Sequence, residues 1–223
     1  MKALKRMVAF VLAAVLLVSF APVQTQAASV SKISVDYIYT DAVDIKVETE
    51  GSGTLQSFEY KVRSGGKIVK TGTSKVLQNQ SGGSDRFCRA VIPKNTAVQV
   101  SVRAKKGGSW TAWSSYIWVV PKVEEAKLTS YTNKTFKISW TKMKGATDYA
   151  ICVATSPKGK WKTVKTTKGR SITIRTYDGK NAFKTGKWYY VRVLARRKSG
   201  SGYVRSKGYK TGWYMFRVKF SKH

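Results

Sequence analysis

The chain writes one strand plan twice, and that duplication constrains its fold more than any other feature. Val100-Ser101-Val102-Arg103-Ala104-Lys105 returns as Val191-Arg192-Val193-Leu194-Ala195-Arg196, a Val-x-Val-x-Ala burst closed by a basic residue. Upstream of the first burst, Val43, Ile45 and Val47 alternate with polar residues, then Phe58, Tyr60 and Val62; upstream of the second, Phe136, Ile138 and Trp140 do so, then Tyr149, Ile151 and Val153. Ile45 to Val100 spans 55 positions and Ile138 to Val191 spans 53. A unit of that length is a domain rather than a solenoid repeat. Alternation at period two places one face of each strand in a core and the other in solvent. Turn formers separate the bursts, among them Glu50-Gly51-Ser52-Gly53, Ser64-Gly65-Gly66 and Ser156-Pro157-Lys158-Gly159.

The pattern predicts an all-β fold of two consecutive immunoglobulin-like β-sandwiches, each with about seven strands. First-copy strands are expected over 33–39, 42–47, 57–62, 67–71, 87–92, 97–105 and 113–119. Second-copy strands are expected over 126–131, 134–140, 148–154, 160–166, 171–175, 188–196 and from 203 onward. Hydrophobic residues make up 42% of the chain, enough for two cores and too many for wholesale disorder.

The first 27 residues read differently. Lys2, Lys5 and Arg6 precede an apolar run from Val8 to Ala21, and a polar stretch ends in small residues at Ala27. This is the order of a secretory signal peptide, with cleavage expected between Ala27 and Ala28. The run is shorter than the roughly 20 residues a spanning helix needs. The expected organisation is a signal peptide over 1–27, a first sandwich over 28–121 and a second over 122–223, joined by a short linker at Pro121 to Glu125. The expected location is extracellular, free or held at the cell surface.

The residues of the second copy resemble the fibronectin type III family. Lys137-Ile138-Ser139-Trp140 is similar to the family's strand B with its core tryptophan, and Gly145-Ala146-Thr147-Asp148-Tyr149-Ala150-Ile151 to its B–C turn and strand C. Thr155-Ser156-Pro157-Lys158-Gly159-Lys160-Trp161 is similar to the C–C′ hairpin of bacterial members, and Tyr189-Tyr190-Val191-Arg192-Val193-Leu194-Ala195 to strand F. The resemblance implies that Tyr189 is a corner tyrosine bonding back to the backbone, and that Trp140, Tyr149, Val191 and Val193 are structural. The first copy is more divergent: Val47 and Val98 stand where the family prefers Trp and Tyr, while Trp113-Ser114 resembles the family's Trp-Ser at strand G. No Arg-Gly-Asp occurs, so an integrin ligand is not indicated.

Charge divides the copies. Residues 28–121 carry 13 basic and 7 acidic side chains; residues 122–223 carry 26 and 4, a net of +22. Such an excess attracts polyanions. Outside a cell these are wall polymer, acidic glycan or released DNA.

Catalytic patterns are missing. The single histidine is His223, so serine and cysteine nucleophiles lack an imidazole base within the fold. The acids of the second copy, Glu124, Glu125, Asp148 and Asp178, are scattered over a linker, a strand start and a turn rather than paired as in a glycosidase. No cluster suits a metal, and no phosphate-binding loop precedes a helix. No cofactor is expected, and a polysaccharide-acting enzyme is the weakest reading. Cys88 and Cys152 fall in different copies and are expected to be unbridged thiols.

Binding is therefore the expected function. Lys158, Lys160, Trp161, Lys162 and Lys165 form one basic group with an aromatic inside it; Arg196, Arg197, Lys198, Arg205 and Lys207 flank the next turn. A second expectation concerns a surface-protein partner. Tyr190, Arg192, Leu194 and Arg196 should point outward beside Ala150, Cys152 and Ala154, giving an apolar face edged by guanidinium groups. The segment Trp213 to Phe220 alternates like a strand, with Arg217 and Lys219 on its other side; it is expected to pack on its own domain, the alternative being an adhesive edge for a partner or membrane surface.

Overall fold

The computed structural model describes residues 27–78, 84–132, 134–206 and 216–220. Residues 1–26, which hold most of the expected signal peptide, lie outside that set. Every regular element described is a strand. The first half contributes β1 (Ser29–Ile38), β2 (Ala42–Glu50), β3 (Leu55–Ser64), β4 (Lys67–Lys75), β5 (Leu77–Gln78), β6 (Arg86–Val91), β7 (Val98–Lys106), β8 (Ser109–Trp110) and β9 (Ile117–Val119). The second contributes β10 (Lys127–Thr132), β11 (Thr135–Ser139), β12 (Asp148–Ala154), β13 (Lys162–Thr167), β14 (Ser171–Ile174), β15 (Trp188–Ser199), β16 (Gly202–Arg205) and β17 (Phe216–Lys219).

Two antiparallel sheets face each other in each half. One runs β1-β2-β6-β5 against β4-β3-β7, with β8 and β9 both on the free side of β7. The other half pairs β10-β11-β14 with β13-β12-β15, and β16 and β17 both lie along β15. The period-two scheme has the right phase. Val43, Ile45, Phe58, Tyr60, Val62, Val98, Val100 and Val102 fill the first core. Phe136, Ile138, Trp140, Tyr149, Ile151, Val153, Tyr189, Val191 and Val193 fill the second.

One predicted strand is only half regular. Between β8 and β9 the chain leaves the ladder, and two hydroxyls replace backbone carbonyls as acceptors. Ala104 N donates to Thr111 Oγ1 at 3.0 Å and Val102 N to Ser114 Oγ at 3.0 Å. Thr111 N and Ser114 N return bonds to Ala104 O and Val102 O, each at 2.9 Å. The buried N–H groups of β7 are thereby satisfied without a regular partner. Trp110, Trp113 and Tyr116 then recur every third residue, each stacked with a cation of the first half. Period-two reading has no signal for a three-residue repeat.

The expected linker is not a free tether. Val120 and Val123, with Ala97 at the foot of β7, are buried in the second core. Ala97 N donates to Lys144 O at 2.8 Å, Lys144 N to Asn95 O at 3.0 Å, and Asn95 Nδ2 to Lys142 O at 3.1 Å. Arg197 donates to Gly145 O at 3.0 Å and stacks over Trp118 at 4.7 Å. Gly145 is at φ +79°, and a Cβ there would stand 3.1 Å from Ala97 O. A left-handed backbone costs a non-glycine residue about 1–2 kcal/mol before any clash. Gly145→Ala is therefore expected to lose at least that much stability and to loosen the joint. The checks are a lowered melting point and a larger radius of gyration in small-angle scattering. A wild-type value for both would show that the joint does not close at Gly145.

Candidate functional site

The basic positions of the second half separate into three groups once placed on strands. Lys158 and Lys160 lie on the approach to β13, and Lys162 and Lys165 lie on β13 itself; all four are exposed. Among the described residues strand β13 pairs only with β12, which leaves its other edge open there. Lysines along an open edge are the usual guard against unwanted strand pairing, and here they also make a row of cations. Lys168 and Arg170 continue the row past β13, exposed as well. No ion pair joins any of these six to an acid among the described residues.

Three of the four acids of this half have partners of their own. Asp178 accepts bonds from the backbone and side chain of Asn181, at 2.7 Å each, and from Lys180 N at 3.0 Å. Those donors, with the Asn181 backbone first, lower its pKa from 3.8 to about 2. It is a turn-closing carboxylate rather than a proton donor. Glu125 accepts from Thr141 Oγ1 at 2.5 Å. Asp148 grips Arg196 with two bonds, at 2.5 and 2.7 Å. Among the described residues no three His, Cys, Asp or Glu side chains come together as a metal site.

Three expected binding residues prove to be committed inside the protein. Arg196 is held by Asp148, with both side chains only 13% exposed, and its guanidinium is held protonated by that carboxylate bond. Arg197 belongs to the joint between the halves. Trp161 lies against Ala150, Cys152 and Leu194, and Arg192 covers its ring at 4.2 Å from the centroid.

That last contact corrects the expected open apolar face. Ala150, Cys152, Ala154 and Leu194 do share the outer side of β12 and β15, but all four are buried. The Trp161 indole packs over these side chains on β12 and is itself half-buried. Lys198 and Arg205 are exposed, Tyr190 and Arg192 half-buried, and Lys207 lies outside the described residues.

Tyr189 receives a hydrogen bond from Lys184 N at 2.9 Å, which is the corner arrangement. Tyr149 receives one from Met143 N at 2.7 Å. Phe216, Val218 and Phe220 alternate as expected, with Val218 and Phe220 buried in the second core; Trp213 to Met215 lie outside the described residues. Cys88 and Cys152 are free and buried, and burial pushes the Cys88 thiol up to about 12.

The expected binding set leaves out Trp188, Arg217 and Lys219. Trp188 is 42% exposed at the start of β15. β17 lies beside it, with Arg217 4.2 Å and Lys219 5.6 Å from the ring centroid. Only the pairing of β17 with β15 brings these residues together.

The strand order and the corner tyrosine define tandem sandwiches of fibronectin type III architecture. Neither a family model nor a curated protein matches the chain. Among solved structures it is similar to a two-domain fibronectin type III segment of chicken tenascin, with 14% identity, 84% of this chain and 97% of that one covered, and a TM-score of 0.37. It is also similar to a chain of a cytokine receptor complex, with 13% identity, 86% and 98% covered, and a TM-score of 0.45.

Proposed function

We propose that this protein is a secreted, non-catalytic binding module that associates with anionic polymers at the cell surface through its second half. The observation that carries the reading is the exposed cation row from Lys158 to Arg170, no member of which forms an ion pair among the described residues, in a half where Asp148, Asp178 and Glu125 are already engaged. Wall polymer, acidic glycan and extracellular DNA all present the required charge. A protein partner on the outer β12–β15 face is not favoured, because Trp161 packs over it.

Binding through such a row releases counterions, so affinity should fall steeply with salt. For a nucleic-acid probe the log–log slope changes by about 0.7–0.9 for each phosphate contact. Lys158→Gln, Lys160→Gln, Lys162→Gln and Lys165→Gln combined should flatten the slope and weaken binding to polyanions. A salt titration of wild type and this variant tests it. Affinity independent of salt, or no capture at low salt, would remove the basis for this reading.

A further inference from the structure

The outer faces of the two larger sheets both carry stacked cations and rings, but they differ in how the cations are satisfied. In the first half Arg103 stacks on Trp110 and Trp113 and also reaches Glu59 at 2.6 Å. Arg63 stacks on Tyr116 and donates to Gln99 Oε1 at 3.0 Å. Those cations have acceptors within the fold. In the second half Arg196, stacked on Tyr203, is likewise held by Asp148, but further along β12 the outer side offers only Ala150, Cys152 and Ala154 to the neighbouring strand. Arg192, Arg217 and Lys219 stack on Trp161 and Trp188 and have no carboxylate or carbonyl acceptor among the described residues. Arg192 Nε is buried without a partner.

The exposed rings sit at the two ends of this face. Trp188 opens β15, and Tyr203, 43% exposed, pairs across from Lys198 near its far end. At about 3.3 Å per residue the rings bracket a row roughly 33 Å long. Strand β15 places Trp188, Arg192 and Arg196 four residues apart on one side, about 13 Å between successive members. Single-stranded nucleic acid is held by stacking successive bases on successive rings; Tyr190, two residues from Trp188 on the same side, is half-buried, which leaves Trp188 as the well-exposed ring at this end of the face among the described residues. Arg217 lies over one side of the Trp188 indole, which is still 42% exposed; a sugar carrying a carboxylate or sulfate can pack its apolar face on the indole surface left open while the guanidinium at its margin takes the two anionic oxygens.

We infer that the outer face of β15 and β17 is a subsite for a linear acidic polysaccharide, with a sugar ring on Trp188 and its acid group on Arg217 and Lys219. The subsite rests on the polyanion-binding reading above and adds to it a ring contact that charge alone does not supply. Trp188→Ala removes no charge, which makes it the separating variant. Binding of the whole protein to polygalacturonate and to a single-stranded oligonucleotide is measured side by side by titration calorimetry.

Trp188→Ala should weaken polygalacturonate binding about ten-fold, the size of one lost stacking contact, and leave the oligonucleotide within about two-fold. Trp188→Phe should restore most of the loss, and Arg217→Gln should lower both the affinity and its salt dependence. Because Trp188 and Arg217 are exposed, the variants should melt with wild type, and the Arg217→Gln titration serves as the second test. Unchanged polygalacturonate affinity in Trp188→Ala, or a loss confined to the oligonucleotide, overturns the subsite and leaves the cation row standing. If wild type binds neither polymer at low salt, both readings fall.

Discussion

Phe183→Ala should cost the second domain about 3–5 kcal/mol, the range for truncating a fully buried phenylalanine. Phe183 belongs to no strand, yet it is 2% exposed at the centre of a ring cluster. Tyr189 meets it edge-on at 4.8 Å, Phe220 at 5.0 Å and Phe136 at 5.5 Å. The cluster draws on β11, β15 and the segment after β17, so a cavity there releases three elements together. The Tyr189 corner bond to Lys184 N lies one residue from Phe183 and should loosen with it. Denaturant unfolding measures the effect, and a loss below about 1 kcal/mol would mean that neighbouring rings close over the gap without penalty.

Asp148→Ala should be nearly as damaging, at about 3 kcal/mol, because it leaves Arg196 largely buried without its counter-charge. The pair sits directly across the β12–β15 ladder and is made by two short bonds. Removing both partners differs from removing one. Asp148→Ala combined with Arg196→Leu should recover most of the stability, since an apolar pair of similar bulk often replaces a buried ion pair without loss. If the double variant is as unstable as the single one, the pair is doing something other than cancelling charge. The double variant should also leave polyanion affinity nearly unchanged, because the pair it removes carries no net charge.

Which parts of this architecture the sequence discloses follows from the range of each interaction. Val100, Val102, Val191 and Val193 announce themselves because strand alternation is local, and their burial needs no knowledge of partners. Tyr189 is legible through its resemblance to a known corner. Phe183 is not, because it stands alone between turns, and the four rings that converge on it, Phe136, Tyr177, Tyr189 and Phe220, explain its burial. The cation–ring contacts are hidden for the same reason. Arg217 and Trp188 are far apart in sequence and meet by the registry of β17 with β15. Charge counting found the lysines of β13, where side chains act singly, and misassigned Arg196, where the decisive fact is an aspartate across the ladder.

The packed joint fixes more than the path of the chain. With Val120 and Val123 seated in one core and Ala97 bonded across to Lys144, a pull on either end is carried as shear through interlocked side chains. Swivelling is suppressed, so the tandem acts as a short lever arm. A polymer gripped by one domain would transmit its drag to the other without slack.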